Sequence, residues 1–203
     1  MKAFQNCTYT KAQAVALAQA HFDHDNFLKG SYGNNQSFSD PATFKGCSVG
    51  CMAGGKHMRS VELYSLPPQL LYLCDAIFES LPAPEHKRFT LDVFEAIPDG
   101  ADISRFWDRY AAWMLGSIKT DLACVKDMAA LFDRAAAGDE PEAAQWEEAA
   151  MGAWAAWAAR DAWAAWAARD AWAARDAWAQ ESRDKLIEIL KSMPVSVAKG
   201  EPS

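Results

Sequence analysis

Apolar residues recur every three or four positions through most of this chain, the spacing of helices that bury one face. In KAQAVALAQAHFDHDNFLKG, with Thr10 as N-cap, Ala14, Leu17, Ala18 and His21 fall on one side. The pattern predicts a helix that ends at Gly30 and sets Asp25 one turn beyond His21 on the same face. A short helix is expected over 58–65. Pro67-Pro68 opens a stronger one over 68–81, whose inner face is Leu70, Leu73, Cys74 and Ile77, and Pro82 stops it. FTLDVFEAI follows, closed by the turn Pro98-Asp99-Gly100, and Asp102 reads as the cap of ISRFWDRYAAWML, with Gly116 at its end. TDLACVKDMAALFDRAAAG then sets Leu122, Val125, Ala129 and Phe132 in phase before Gly138. The last and longest helical pattern starts at Asp139 and Pro141 and reaches Met193-Pro194. No strand pattern emerges. The expected fold class is all-α, a compact helical domain of about six or seven helices with a long Ala/Trp-rich C-terminal helix.

At 203 residues the chain suits one domain with a real core. Its expected parts are a helical core over 10–137, interrupted by a loop over 30–56, then the repeat helix over 139–193 and a tail over 194–203. The loop, SYGNNQSFSDPATFKGCSVGCMAGGK, is rich in Gly, Ser and Asn and lacks periodicity. Loops of that length inside compact domains often carry function.

The repeat helix contains AWAAWAARDAWAAWAARDAWAARDAWAQ, in which every third position from 154 to 178 is Trp or Arg among alanines. Three residues turn a helix by about 300°, so the stripe slips by ~60° per step and circles the axis in about 18 residues. Its indoles therefore point in all directions, unlike a heptad seam. An unbroken helix over 141–193 would be ~75–80 Å long, against a diameter of roughly 45 Å for a compact chain of this size. Either the N-terminal helices wrap it, or it completes its burial in a homo-oligomer through 153–180, and Gly152 is the place to bend. The Arg-Asp pairs read as solvated or locally paired charges. The repeat reads as packing mass rather than chemistry.

Composition changes this picture only at its edges. Half the residues are hydrophobic, mean hydropathy is −0.20, and the net charge is −7. That balance argues against a nucleic-acid partner, since phosphate binding needs clustered Lys and Arg, and it suits a basic protein partner. No apolar run approaches a membrane span, and MKAFQNCTYT lacks the apolar core of a secretion signal. Five scattered cysteines then imply free thiols in a reducing cytoplasm.

Chemistry concentrates in FKGCSVGCMAGGKH. Cys47, Cys51 and His57 lie in a glycine-rich setting, with His21, His24, Asp23 and Asp25 available from the first helix. As a metal set, Cys47, Cys51, His57 and His21 offer the thiolates and imidazoles that zinc takes in a tetrahedron, although Cys-x3-Cys-x5-His is not a standard knuckle. As a thiol site, Cys47 or Cys51 would act as nucleophile with His57 or His21 as base. Asp75 and Glu79, four apart on the helix 68–81, add a carboxylate pair that could assist. Plain core packing of small thiols between glycines accounts for the same residues. No phosphate-cradling loop, dinucleotide fingerprint or HExxH occurs. No cofactor is called for, with zinc the one ion the ligand types would suit.

His21 and Asp25, Gly30 and Tyr32, GCSVGC at 46–51, His57, LP at 66–67, LCDAIFESLP at 73–82 and EAIPDGADISRFW at 95–107 resemble, in that order, an uncharacterised bacteriophage and prophage protein family. Its members also end in an alanine-rich helix followed by an amphipathic segment like DKLIEILKSMP. This chain departs from them in its tryptophan content. The resemblance implies no activity and carries over no catalytic residue. With the acidic charge, the long repeat helix and the absence of a recognisable catalytic set, the reading is a phage-type accessory protein in the cytoplasm of a bacterial host that acts by binding a host protein, such as a component of a host defence system. The alternatives are a thiol- or metal-dependent enzyme and a structural protein that self-assembles through the Trp-rich helix.

Overall fold

Short-range sequence signals set most of the helices, and where they conflict with packing, packing moves the ends. A computed structural model describes residues 1–34, 36–118, 122–160 and 171–195, with side chains for all of these except 152–160 and 171–176. Nine helices and no strand occur among the described residues: α1 (Lys11–Asp23), α2 (Ser48–Ala53), α3 (Arg59–Tyr64), α4 (Pro68–Ser80), α5 (Glu85–Ala96), α6 (Phe106–Ser117), α7 (Ala123–Ala137), α8 (Ala143–Arg160) and α9 (Ala171–Lys191). The fold is all-α. None of the described helices is long and apolar enough to cross a membrane.

The chain divides into two compact units, Met1–Ser104 with Asp176–Ser203, and Arg105–Arg175. In the first, α1 packs on α5 and α2, and α4 packs on α2, α3 and α5. The inner face of α4 is the predicted one, with Leu70, Leu73, Cys74 and Ile77 all buried and Leu71 and Phe78 beside them. From the far end of the chain, Leu186, Ile189, Leu190 and Met193 are buried in this unit. Arg183 pairs there with Glu85, and Asp102 N–H donates to Pro194 O at 2.8 Å. The N-terminal residues are threaded into the same core, Ala3 N–H bonding to Ala101 O at 2.9 Å and Phe4 N–H to Tyr64 O at 2.8 Å. In the second unit α7 packs on α6 and α8, around Phe106, Tyr110, Leu131 and Ala135. The line predicted for α7 is displaced: Leu131 and Ala135 are buried, Val125, Ala129 and Phe132 half-buried, and Leu122 exposed.

Three predicted boundaries move. Helix α1 begins as expected, with a reciprocal Thr10–Gln13 capping box, but ends at Asp23 rather than Gly30. Asp25 takes a left-handed conformation (φ 52°) and so leaves the helical face of His21. It pairs with Lys87 at 2.6 Å instead. Asp102 does not cap α6, because its carboxylate turns onto Ser104 N–H at 3.0 Å and the helix starts only at Phe106. Inside the predicted loop 30–56 lies a whole helix, α2. Helical residues fill 143–160 and 171–191, with Gly152 inside α8. The expected continuity across 161–170 and the packing of most of the tryptophan run, with the oligomer contact built on it, lie outside the described residues.

Candidate functional site

Helix α2 is short and wholly buried, since all six residues of SVGCMA are covered. Cys47 caps its start, its Sγ accepting from Gly50 N–H at 3.4 Å. Gly54, left-handed at φ 62°, ends it. The chain segment 29–33 lies directly along this helix. A Cβ on Gly50 would stand 2.7 Å from Tyr32 O, so glycine is what lets the segment pass. Cys47 N–H bonds to Ser31 O, and Gly30 N–H sits 3.0 Å from both carboxylate oxygens of Glu79. Lys29 Nζ donates to the carbonyls of Glu79 and Leu81 at the C-terminal end of α4, where a cation meets the helix dipole favourably. The segment is a strap tied at both edges.

Beneath the strap the donor atoms of Cys47, Asp75 and Glu79 lie within 4.8 Å of one another, Cys47 buried and the two carboxylates half-buried. The i,i+4 spacing on α4 sets both acids on one edge, and the packing of α2 on α4 delivers the thiol. Tyr32 Oη donates to Asp75 Oδ2 at 3.4 Å from the strap. His57 Nε2 stands 3.5 Å from the same oxygen. Its ring is stacked on Tyr72 at 3.9 Å and 9°, with Tyr32 edge-on at 6.2 Å. Two buried atoms here have no hydrogen-bond partner, His57 Nε2 and Asp75 Oδ1. Such atoms are costly to leave unmet in a folded chain.

Electrostatics decides which form of the thiol is present. Burial, and after it the neighbouring Asp75 charge, pushes the Cys47 thiol up to about 12. The same carboxylate raises the Tyr32 hydroxyl. Cys47 is therefore a neutral thiol near neutral pH, the opposite of what a free nucleophile requires. A bound cation would reverse this, because a coordinating thiol gives up its proton.

The predicted sets are thus split. Cys47, His57, Asp75 and Glu79 come together, whereas Cys51 and His21 do not join them. Cys51 Sγ points at the carbonyls of Gly46 (3.5 Å) and Asn26 (3.7 Å), and burial pushes it, too, to about 12. His21 is fully buried and spends both ring nitrogens on the fold, Nε2 at 2.8 Å from Phe38 O and Nδ1 at 3.3 Å from Asn26 Nδ2. The four-ligand zinc set with Cys51 and His21 is corrected on that ground: their polar atoms face structural partners. His24 and Asp23 are exposed, Asp23 accepting from Gln19 at 2.7 Å. Tyr32 and Gly30 are the residues that sequence reasoning left out of the site, although they stand in the family-like pattern and set an aromatic between glycines in an otherwise polar loop. Compared with protein-family models, curated proteins and solved structures, the chain matches none.

Proposed function

We propose that Cys47, Asp75 and Glu79 hold a divalent cation of the zinc class, and that the protein is a metal-dependent enzyme rather than a thiol-nucleophile one. The observation that carries this is the convergence of a buried thiol and two carboxylates within 4.8 Å, close to the ~3.3–3.8 Å between ligands around a tetrahedral zinc. Three protein ligands leave a fourth position for water or substrate, the arrangement of catalytic rather than structural zinc. The unpartnered Asp75 Oδ1 is a donor awaiting an acceptor of its lone pairs. His57, stacked on Tyr72 with Nε2 3.5 Å from Asp75 Oδ2, would supply an imidazole for proton transfer. Elemental analysis and titration of the full chain with Zn2+ and Co2+ test the reading. Binding with a thiolate-to-cobalt absorption band, lost in Cys47→Ser, supports it; no binding, or binding unchanged in Cys47→Ser, overturns it.

A second reading keeps the phage-type accessory role, in which the chain acts by occupying a host protein. What favours it is the acidic charge and an open cleft of about 660 Å³ between α7 and α8, lined by Cys124, Asp127, Leu131, Arg134 and Glu148 among others. Capture of one partner from host lysate, abolished by Leu131→Glu and untouched by Cys47→Ser, would favour it over the metal centre.

A further inference from the structure

The buried cluster around His21 makes its hydrogen bonds to groups other than the proposed metal ligands, but it holds the loop that leads to them. Asn26 Nδ2 has two hydrogens and uses both, one toward His21 Nδ1 at 3.3 Å and one on Pro41 O at 2.6 Å. With Nε2 on Phe38 O, the ring must therefore be the neutral tautomer that donates from Nε2 and accepts at Nδ1. Phe38 and Pro41 belong to the loop segment 36–46, so one imidazole on α1 and one amide just beyond its end tie that segment down at two points. Phe44 continues the contact: its ring lies edge-on to His21 at 6.0 Å and fills the space where a Gly33 Cβ would be, at 2.1 Å from its Cζ. Gly33 is the end of the strap that covers Cys47, Asp75 and Glu79.

We propose that neutral His21 is a latch on the segment 36–46, and that protonating it releases the segment and loosens the strap over the Cys47–Asp75–Glu79 centre. A proton on Nδ1 would face the Asn26 hydrogen that now donates to that nitrogen. Rotating the amide to offer its oxygen would repair that contact, but would then set the oxygen against Pro41 O, 2.6 Å away. Either response breaks one tie. The titratable neighbours do not relieve the conflict. His24, on the same helix, opposes a second positive charge. The Cys51 thiol on α2 is neutral, and the Asp40 carboxylate of the loop is turned onto Ala42 N–H and Thr43 Oγ1. The carbonyls of Phe38 and Cys51 favour the charged ring, but burial outweighs them and holds His21 below its usual range. The latch belongs to the fold; its consequence for metal entry rests on the reading above.

Amide hydrogen exchange of the full chain, without added metal, separates the two ideas. Protection factors at Phe44, Gly46 and Cys47 are followed from pH 7.5 to 4.5, beside the imidazole titration of His21 by NMR. The expected result is at least a tenfold fall in protection at these amides as His21 titrates, while the buried amides of α5 hold. His24→Gln should keep the response, and His21→Gln, whose amide can donate and accept as the neutral ring does, should abolish it. Protection that stays flat while His21 takes up its proton overturns the proposal, in the wild-type chain alone and whether or not the variant folds. Loss of the response in His24→Gln also overturns it.

Discussion

The first unit buries two polar clusters, one around His21 and one around Asp75, and they differ in what their atoms lack. Around His21 each group is met: Nε2 by Phe38 O, Nδ1 by Asn26, and Asn26 by Pro41 O. Around Asp75 the count does not close, since Asp75 Oδ1 and His57 Nε2 are buried with no hydrogen-bond partner. The first cluster lies in the interior, with His21 at 0 % exposure. The second keeps a way out, with side-chain exposures of 11 % for His57 and 18 % for Asp75. A closed set of hydrogen bonds stabilises a fold, whereas an open set under a strap is what a ligand completes. Residue type does not separate the two clusters, since each holds a histidine and a cysteine.

The sharpest way to break this contrast is to remove one member from each side. His21→Ala strands Phe38 O and Asn26 and leaves a cavity, and it should cost about 3–4 kcal/mol in urea unfolding. Asp75→Asn should do the reverse. Stability should change by less than about 1 kcal/mol, because a half-buried carboxylate beside Glu79 is removed, while zinc affinity falls about 100-fold, or ~2.7 kcal/mol. A large loss of stability in Asp75→Asn with no loss of metal would place both clusters in the architectural class. Gly50→Ala sets a methyl against Tyr32 O at a 2.7 Å approach, so the strap must shift; the expected cost is about 1–3 kcal/mol, read by thermal unfolding.

A smaller effect is pH dependence. His21 is depressed in the folded chain and takes its ordinary value near ~6.5 when unfolded. The unfolded state then binds the proton more readily, so the contribution of His21 is fully present above ~6.5 and is lost as pH falls toward the folded value. Unfolding in urea at pH 7.5 and pH 5 should show this loss in the wild type and a reduced one in His21→Gln. Smallest is the response of the thiol: Asp75→Asn should bring the Cys47 pKa down and so make the thiol easier to ionise, with burial still dominating, which alkylation rate against pH would read.

How far these clusters were legible follows from their chemistry. The i,i+4 pair Asp75 and Glu79 was visible because helix geometry puts such residues on one edge, and α4 itself was written in Pro68 and its leucines. Cys47 was visible as a thiol in a glycine-rich stretch, yet it paired naturally in sequence with Cys51, four residues on. Within α2 those two do lie a turn apart, but Cys47 is the cap and turns outward to Asp75, while Cys51 turns inward to carbonyls. Helix α2 itself was hidden, since six residues with glycines at both flanks and one inside carry too little periodicity to register. Asp102 misled for a related reason: an Asx turn and an N-cap use the same side chain, and only the following backbone tells them apart.

By itself the sequence determined the helical class, the inner face of α4, the capped start of α1 and the supply of thiol, imidazole and carboxylate groups, because all of these depend on neighbours within a turn or two. Tertiary structure alone decided which histidine is a fastener and which stands beside an unmet carboxylate. That choice depends on groups 17 to 43 residues apart in the chain, Phe38 for His21 and Asp75 for Tyr32. Only the packing of α2 on α4 and of the strap on α2 brings such groups within reach of one another, and no local spacing encodes it.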